Sequence, residues 1–265
     1  EIGKKNLENL INLGIDHIDV SINPRIEKKI LLKTFKKKGS TAISMHLGIF
    51  NIPLIIAKKF KIPLIIWGEN SASEYGYKKK EDIVSELDDD WFKNYGVTND
   101  INSLDLINFG FKKEDLFFYT KSSDKYNVKQ IFLGNYLKWD PHKVSKFAEL
   151  KGFKKAKKAK TGYYNFSDID DDFISIHHWL KYYKFGFTRL FDNLSIEIRN
   201  KRMSRQKALK IIKKSSFLPP FKDIKKFCKY TNISTKQFFR IAEKFRNKDI
   251  WFKKNKQWKI RNFIF

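Results

Sequence analysis

The segment Pro63-Leu-Ile-Ile-Trp-Gly-Glu-Asn70, continuing to Glu74-Tyr-Gly76, places oxygen ligands directly after a short apolar run. In an open parallel sheet, ligands bind beyond the carboxyl ends of the strands. Gly68 permits a tight turn at such an end. Glu69, Asn70 and Glu74 would then bring two carboxylates and an amide to the sheet edge, a set suited to a magnesium ion shared with phosphates. The same residues also read as a strand followed by a polar loop.

A second segment, Lys181-Tyr-Tyr-Lys-Phe-Gly-Phe-Thr-Arg-Leu-Phe-Asp192, runs on to Ser195-Ile-Glu-Ile-Arg199 and Ser204-Arg205. Lys184, Arg189, Arg199, Arg202 and Arg205 gather around and after Gly186. Arginine forks match the geometry of phosphates and carboxylates. Gly186 would let the backbone approach a ligand, with Tyr182, Tyr183, Phe185 and Phe187 burying the other side. A charged helical surface would show the same residues. His46, within Ser44-Met-His-Leu-Gly48, sits in an apolar helical pattern and reads as a packed residue. Neither it nor His177-His178 has the Asp or Cys spacing of a metal cage. There is no Gly-x-Ser-x-Gly elbow to support a serine hydrolase.

These residues need elements to hold them. Lys4–Leu13 has helical spacing of Leu and Ile, with Gly14 as a stop. Ile15–Ile22 alternates apolar and polar residues and predicts a strand. Pro24 opens a helix to about Lys38, closed by Gly39, and Thr41–Phe60 predicts a further helix with a kink at Pro53. Pro63–Trp67 suits a strand buried on both faces of a parallel sheet. Residues 77–102 read as an exposed excursion. Gly110–Lys121 predicts a helix and Val128–Leu137 another strand. Asp140 caps a helix from Pro141 to about Lys151. From Asp172 onward the chain reads as helical: 173–183, a helix capped by Ser204, one after Pro219-Pro220, and one opened by the capping-box spacing Ser234-Thr-Lys-Gln237. The expected organisation is an α/β part over 1–125 and a mainly helical part over 126–265.

Composition narrows the class. The 265 residues are 42% hydrophobic and 16% aromatic, enough for packed cores and against wholesale disorder. The single cysteine, Cys228, allows no internal disulfide and no cysteine zinc site. On the apolar side of its helix it reads as a buried thiol, and this cysteine usage fits a cytoplasmic home. The longest nearly apolar run, 47–57, is too short to span a bilayer. Lysines and arginines number 55 against 29 acidic residues, a net +26. Their spread along the chain, with abundant Ile, Asn and Phe, suits a compositional bias better than a nucleic-acid footprint.

Read together, Pro63–Asn70, Tyr136-Leu-Lys-Trp-Asp140, Lys184-Phe-Gly-Phe-Thr-Arg189, Glu197-Ile-Arg199 and Ser204-Arg205 resemble the N-acetyl sugar amidotransferases. The opening Gly3–Gly14 resembles them too, so the likeness covers essentially the whole chain. Trp67-Gly-Glu-Asn70 and Lys184-Phe-Gly carry most of it. The resemblance implies an N-type ATP pyrophosphatase fold: a partial Rossmann-like parallel sheet, adenine nucleotide alpha-hydrolase-like, followed by a mainly helical region. It implies an enzyme of bacterial surface-polysaccharide and flagellin-glycan synthesis. ATP would adenylate the oxygen of a sugar acetamido group and release pyrophosphate. Ammonia from a partner glutaminase would then displace AMP and leave an acetamidino group. On this reading Lys184 and Arg189 act on the developing charge, Gly68, Glu69, Asn70, Arg199 and Arg205 bind the nucleotide, and Glu74 holds magnesium. The substrate is an acetamido sugar or its sugar nucleotide. One departure matters. The family's Ser-Gly-Gly-x-Asp-Ser phosphate loop has no counterpart, since the sequence contains no Gly-Gly pair and starts at Glu1 without an initiator methionine. A chain truncated relative to the family, and inactive alone, is therefore expected. A PP-loop transfer-RNA-modifying enzyme and a non-catalytic basic scaffold or nucleic-acid-binding fragment are the alternative readings.

Overall fold

The computed structural model describes residues 2–68, 74, 87, 101 and 103–261. The fold is mixed α/β, with a short parallel sheet and a mainly helical C-terminal region. It divides into two compact units, Asp19–Trp139 and a second made of Glu1–Ile18 with Asp140–Phe265. The sequence pattern places a boundary at 125/126. The contacts place it after Trp139, because residues 129–132 pair with the earlier strand and draw the following turn with them.

In the unit Asp19–Trp139, helix α2 (Pro24–Lys38) starts on Asn23, whose side chain accepts from the Arg25 amide, and ends on left-handed Gly39. Its Ile26, Ile30 and Phe35 are buried, and the cluster around Ile26 and Ile30 includes Ile43 and Leu47 of helix α3 (Ile43–Lys59). Pro53 lies inside α3. Strand β1 (Leu64–Trp67) pairs in parallel with β2 (Lys129–Phe132), Leu64 opposite Lys129 and Trp67 opposite Phe132. Phe50 of α3 packs against Trp67. The short helix α4 (Ser103–Asn108) and a 3-10 helix (Lys113–Tyr119) contribute Leu106, Leu116 and Tyr119 to the core.

Two expectations fail here. Ile15–Ile22 forms no strand, and Ile15 and Ile18 are about half exposed. Alternation marks one strand's faces, but a strand persists only where a neighbour takes its backbone groups. Nor is β1 buried on both faces, as Ile66 is 54% exposed. Among the described residues the parallel sheet has two strands, too few for a second covering layer. The helix expected over Gly110–Lys121 is the 3-10 helix just described.

The other unit begins with α1 (Ile2–Ile11). Asn6 and Asn9 anchor it to the backbone of Lys154 and Gly152. Asp140 caps α5 (Pro141–Leu150), accepting from the His142 and Lys143 amides. Five helices follow: α6 (Ile174–Phe185), α7 (Arg189–Arg199), α8 (Arg205–Lys214), α9 (Phe221–Thr231) and α10 (Thr235–Glu243). Ser204 caps α8, and the full capping box of Ser234 and Gln237 opens α10. Cys228 is buried on α9, as expected.

The chain does not stay helical to its end. A hairpin of β3 (Trp251–Lys254) and β4 (Gln257–Ile260) turns through Asn255 and Lys256, both with positive φ. Two such residues give the tight turn whose twist matches a hairpin. The hairpin braces α6. The Trp251 indole donates to the Tyr183 carbonyl, and Arg246 lies against Tyr183, Trp251 and Trp258 while forking onto Glu243. Among the described residues, no helix is long and apolar enough to cross a membrane.

Candidate functional site

The helical unit contains an open pocket of about 340 Å³. Its walls come from the loop 159–162, the inner face of α6, the start of α7 and the connection between α8 and α9. Lys160 and Arg189 bring positive charge. Thr161, Thr188, Ser175, Ser215 and Ser216 bring hydroxyls, Phe217 brings a partly exposed ring, and the buried Trp179 backs the wall.

Local chemistry explains each position. Thr188 caps α7, so Arg189 is its first residue and lies where the helix dipole favours anions. Asn193, one turn further, accepts from the Tyr163 amide and draws the loop onto α7. Only glycine fits at 162 in that approach. Its φ is +65, and a Cβ there would lie 2.3 Å from Asn193 Oδ1 and 3.1 Å from Arg189 Cγ. Lys160 is held by the Asp171 carbonyl and lies 3.8 Å from Asp172. Nearby, Lys181 pairs with Asp192 at 2.6 Å and lies over the Phe187 ring. Burial pushes its pKa down and Asp192 opposes that.

Proton counting fixes the state of His178. The Thr161 hydroxyl donates to Asp168 at 3.0 Å, so toward His178 Nδ1, 2.7 Å away, it accepts. Nδ1 therefore carries a hydrogen, and in the neutral ring Nε2 keeps the lone pair. Burial drives the His178 pKa down to about 2, and His177, Arg189 and Lys181 add to the effect. The imidazole is neutral in the folded chain, while in the unfolded chain it protonates near 6.5. Its contribution to stability is thus complete above that value and is lost as pH falls. Between there and about pH 5 the loss is expected to reach ~2 kcal/mol. Urea unfolding at both pH values checks this. His178→Gln should flatten the dependence, and an equal loss in both proteins would refute it.

The other expected site residues are not gathered at this pocket. Lys184 is in the last turn of α6 and lies 5.7 Å from the Phe245 ring, away from the pocket walls. Gly186 ends α6 with φ +75 and packs by the hairpin, where a Cβ would meet Ile250 at 3.2 Å and Ile260 at 3.6 Å. Arg199 ends α7, about 15 Å along the helix from Arg189 at 1.5 Å per residue. Arg199 and Arg205 are both exposed. Glu197 and Arg202 form a clamp instead: Arg202 forks onto Glu197 and reaches Asp140, and Tyr164 donates to Glu197. His46 packs as expected, bonded to the Ala42 carbonyl and near Phe50.

Gly68 follows β1, and among the described residues nothing lies within 4 Å of where its Cβ would be. Glu74 is half-buried, and Glu69 and Asn70 lie outside the described residues. Among the described residues no group of three His, Cys, Asp or Glu could hold a metal. The expected nucleotide and magnesium residues of the loop 69–76 thus fall largely outside the described residues.

No curated protein matches the chain. One family model does, over residues 143–264, described as LPS biosynthesis protein WbpG-like, C-terminal domain. Every residue lining the Arg189 pocket lies inside that span, and the segment that holds the candidate site is thus similar to the C-terminal domain of WbpG-like proteins of LPS biosynthesis.

Proposed function

We propose that the chain serves a sugar amidotransferase of surface-glycan synthesis, with the Arg189 pocket as the seat of an anionic acetamido sugar or its sugar nucleotide. The carrying observation is the composition of that pocket, inside the span similar to an LPS biosynthesis domain. Arg189 and Lys160 suit a phosphate or carboxylate. Hydroxyls and the lone pair of His178 Nε2 suit sugar hydroxyls, and the partly exposed Phe217 suits the apolar face of a pyranose. The acetamido oxygen would leave as part of AMP, after adenylation by ATP with release of pyrophosphate, and ammonia supplied by a partner glutaminase would take its place on the carbon. On this reading the residues of the Arg189 pocket hold and orient the sugar. Deleting the gene in its source organism should leave acetamido groups where the surface polysaccharide otherwise carries acetamidino groups, as read by mass spectrometry. An unchanged amidine content would refute the reading.

A further inference from the structure

The positive charge is not spread as evenly as the sequence first suggests. Residues 140–265 hold 33 lysines and arginines against 11 acidic residues, so 22 of the 26 net charges are theirs. Within that half, the connection between α8 and α9 has an unusual make-up. It reads Lys213-Lys-Ser-Ser-Phe-Leu-Pro-Pro-Phe-Lys222. Its base is fixed, because Phe217 stacks on Tyr182 and packs near Phe191. Its tip is not covered: Leu218 is 75% exposed and Phe221 is 53% exposed, with one side of Phe221 against Phe239. Pro219 and Pro220 restrict the backbone between them. Lys213, Lys214, Lys222 and Lys225 around this tip are all exposed.

We infer that this connection is a docking surface for an anionic lipid bilayer. The apolar tip would enter the headgroup layer while the lysine collar meets the negative surface. Both parts of the argument are needed. Single exposed apolar residues are common, but Leu218 beside two prolines and Phe221 at the start of α9, with exposed lysines on both sides in the chain, match an interfacial anchor. Lysine stems also reach outward past apolar groups and keep their charge in water. Nucleic acid is the less suitable partner, since Leu218 offers no ring for a base to stack on and Phe221 already has Phe239 against one side. Leu218 also lines the Arg189 pocket, so docking would set that pocket's rim at the headgroup layer. The inference stands apart from the amidotransferase reading, because lipid binding needs no turnover.

The test is flotation of the full chain with vesicles of phosphatidylcholine, with and without about one-third phosphatidylglycerol. Binding is expected to the anionic vesicles alone and to weaken with salt. Lys213→Glu with Lys214→Glu should lower partitioning about 30-fold or more. The same reversal at Lys157 and Lys158, in another basic block of the same unit, should lower it no more than about threefold. Leu218→Ser with Phe221→Ser leaves the charge unchanged and should lower it about tenfold. Circular dichroism confirms that each variant is folded. Absence of binding, equal effects of the two charge reversals, or no effect of the serine pair would overturn the inference. So would transfer-RNA binding that falls in step with the serine pair.

Discussion

Replacing Arg202 with methionine is expected to lower the unfolding free energy by about 3 kcal/mol. Arg202 donates from Nε and Nη2 to the two oxygens of Glu197 at 2.8 Å, and from Nη1 to Asp140 at 2.7 Å. The Glu197 and Asp140 side chains are only 5% and 12% exposed. Burial pushes Glu197 toward its neutral form, and the hydrogen bonds from Arg202 and then Tyr164 outweigh that and hold its pKa low. Without the guanidinium, two carboxylates stay inside with one cation fewer. Asp140 also caps α5, so its displacement would fray that helix. Arg202 is itself 28% exposed, so water can reach part of the gap. That places the cost at the lower end of the range for breaking a buried pair. Urea unfolding measures it. Adding Glu197→Gln to Arg202→Met should restore part of the loss, because one stranded charge is removed. A single variant within about 1 kcal/mol of the parent would make the clamp an ordinary surface pair.

Arg202 shows where reading a sequence stops. It stands in the basic run with Arg199 and Arg205, and nothing local separates the three. What separates them is long-range: Asp140 is 62 residues away and Tyr164 is 33 residues from Glu197. Helix ends, by contrast, are written within a few residues. Asn23-Pro24 with Gly39, Asp140-Pro141, Ser204 and Ser234 to Gln237 each supply their own cap, and each helix starts where the cap predicts. Strands depend on partners. Pro63–Trp67 finds one in Lys129–Phe132, whereas Ile15–Ile22 finds none among the described residues. The C-terminal hairpin is concealed because lysines occupy its solvent-facing positions and its turn is Asn-Lys, without glycine.

The site was legible in the same partial way. Arg189 stands out by residue type, and the structure gives it a pocket. Lys184, only five residues earlier, is parted from it by the end of α6, so nearness in sequence does not bring the two together. Lys160 and Thr161 line the pocket because Gly162 allows the loop to close on α7, an approach set by a contact 31 residues apart. The role of His178 follows from Thr161 and Asp168, and no spacing in the sequence links those three.

Arg189→Met is the variant expected to reduce function most. The guanidinium opens α7 and lines the pocket beside Lys160, so it would meet the charged group of the substrate. Loss of one such contact to an anion should cost about 2–4 kcal/mol, roughly 30- to 1,000-fold. Where the cost falls distinguishes two roles. If Arg189 only anchors the sugar, KM rises and kcat holds. If it acts on charge that develops as the acetamido group is activated, kcat falls and KM changes little. Position favours the first, because Arg189 opens α7 and lines the pocket together with Lys160. Calorimetry with an acetamido sugar nucleotide then gives a direct reading: tight binding by the parent, a 30-fold or larger loss in Arg189→Met, and partial retention in Arg189→Lys, which keeps the charge but not the fork. The Arg189 stem also packs against the 162 turn, so thermal melting must show the variant folded. A folded Arg189→Met protein that binds as the parent does would remove the pocket from the substrate's path and leave Arg189 as a brace between the loop and α7.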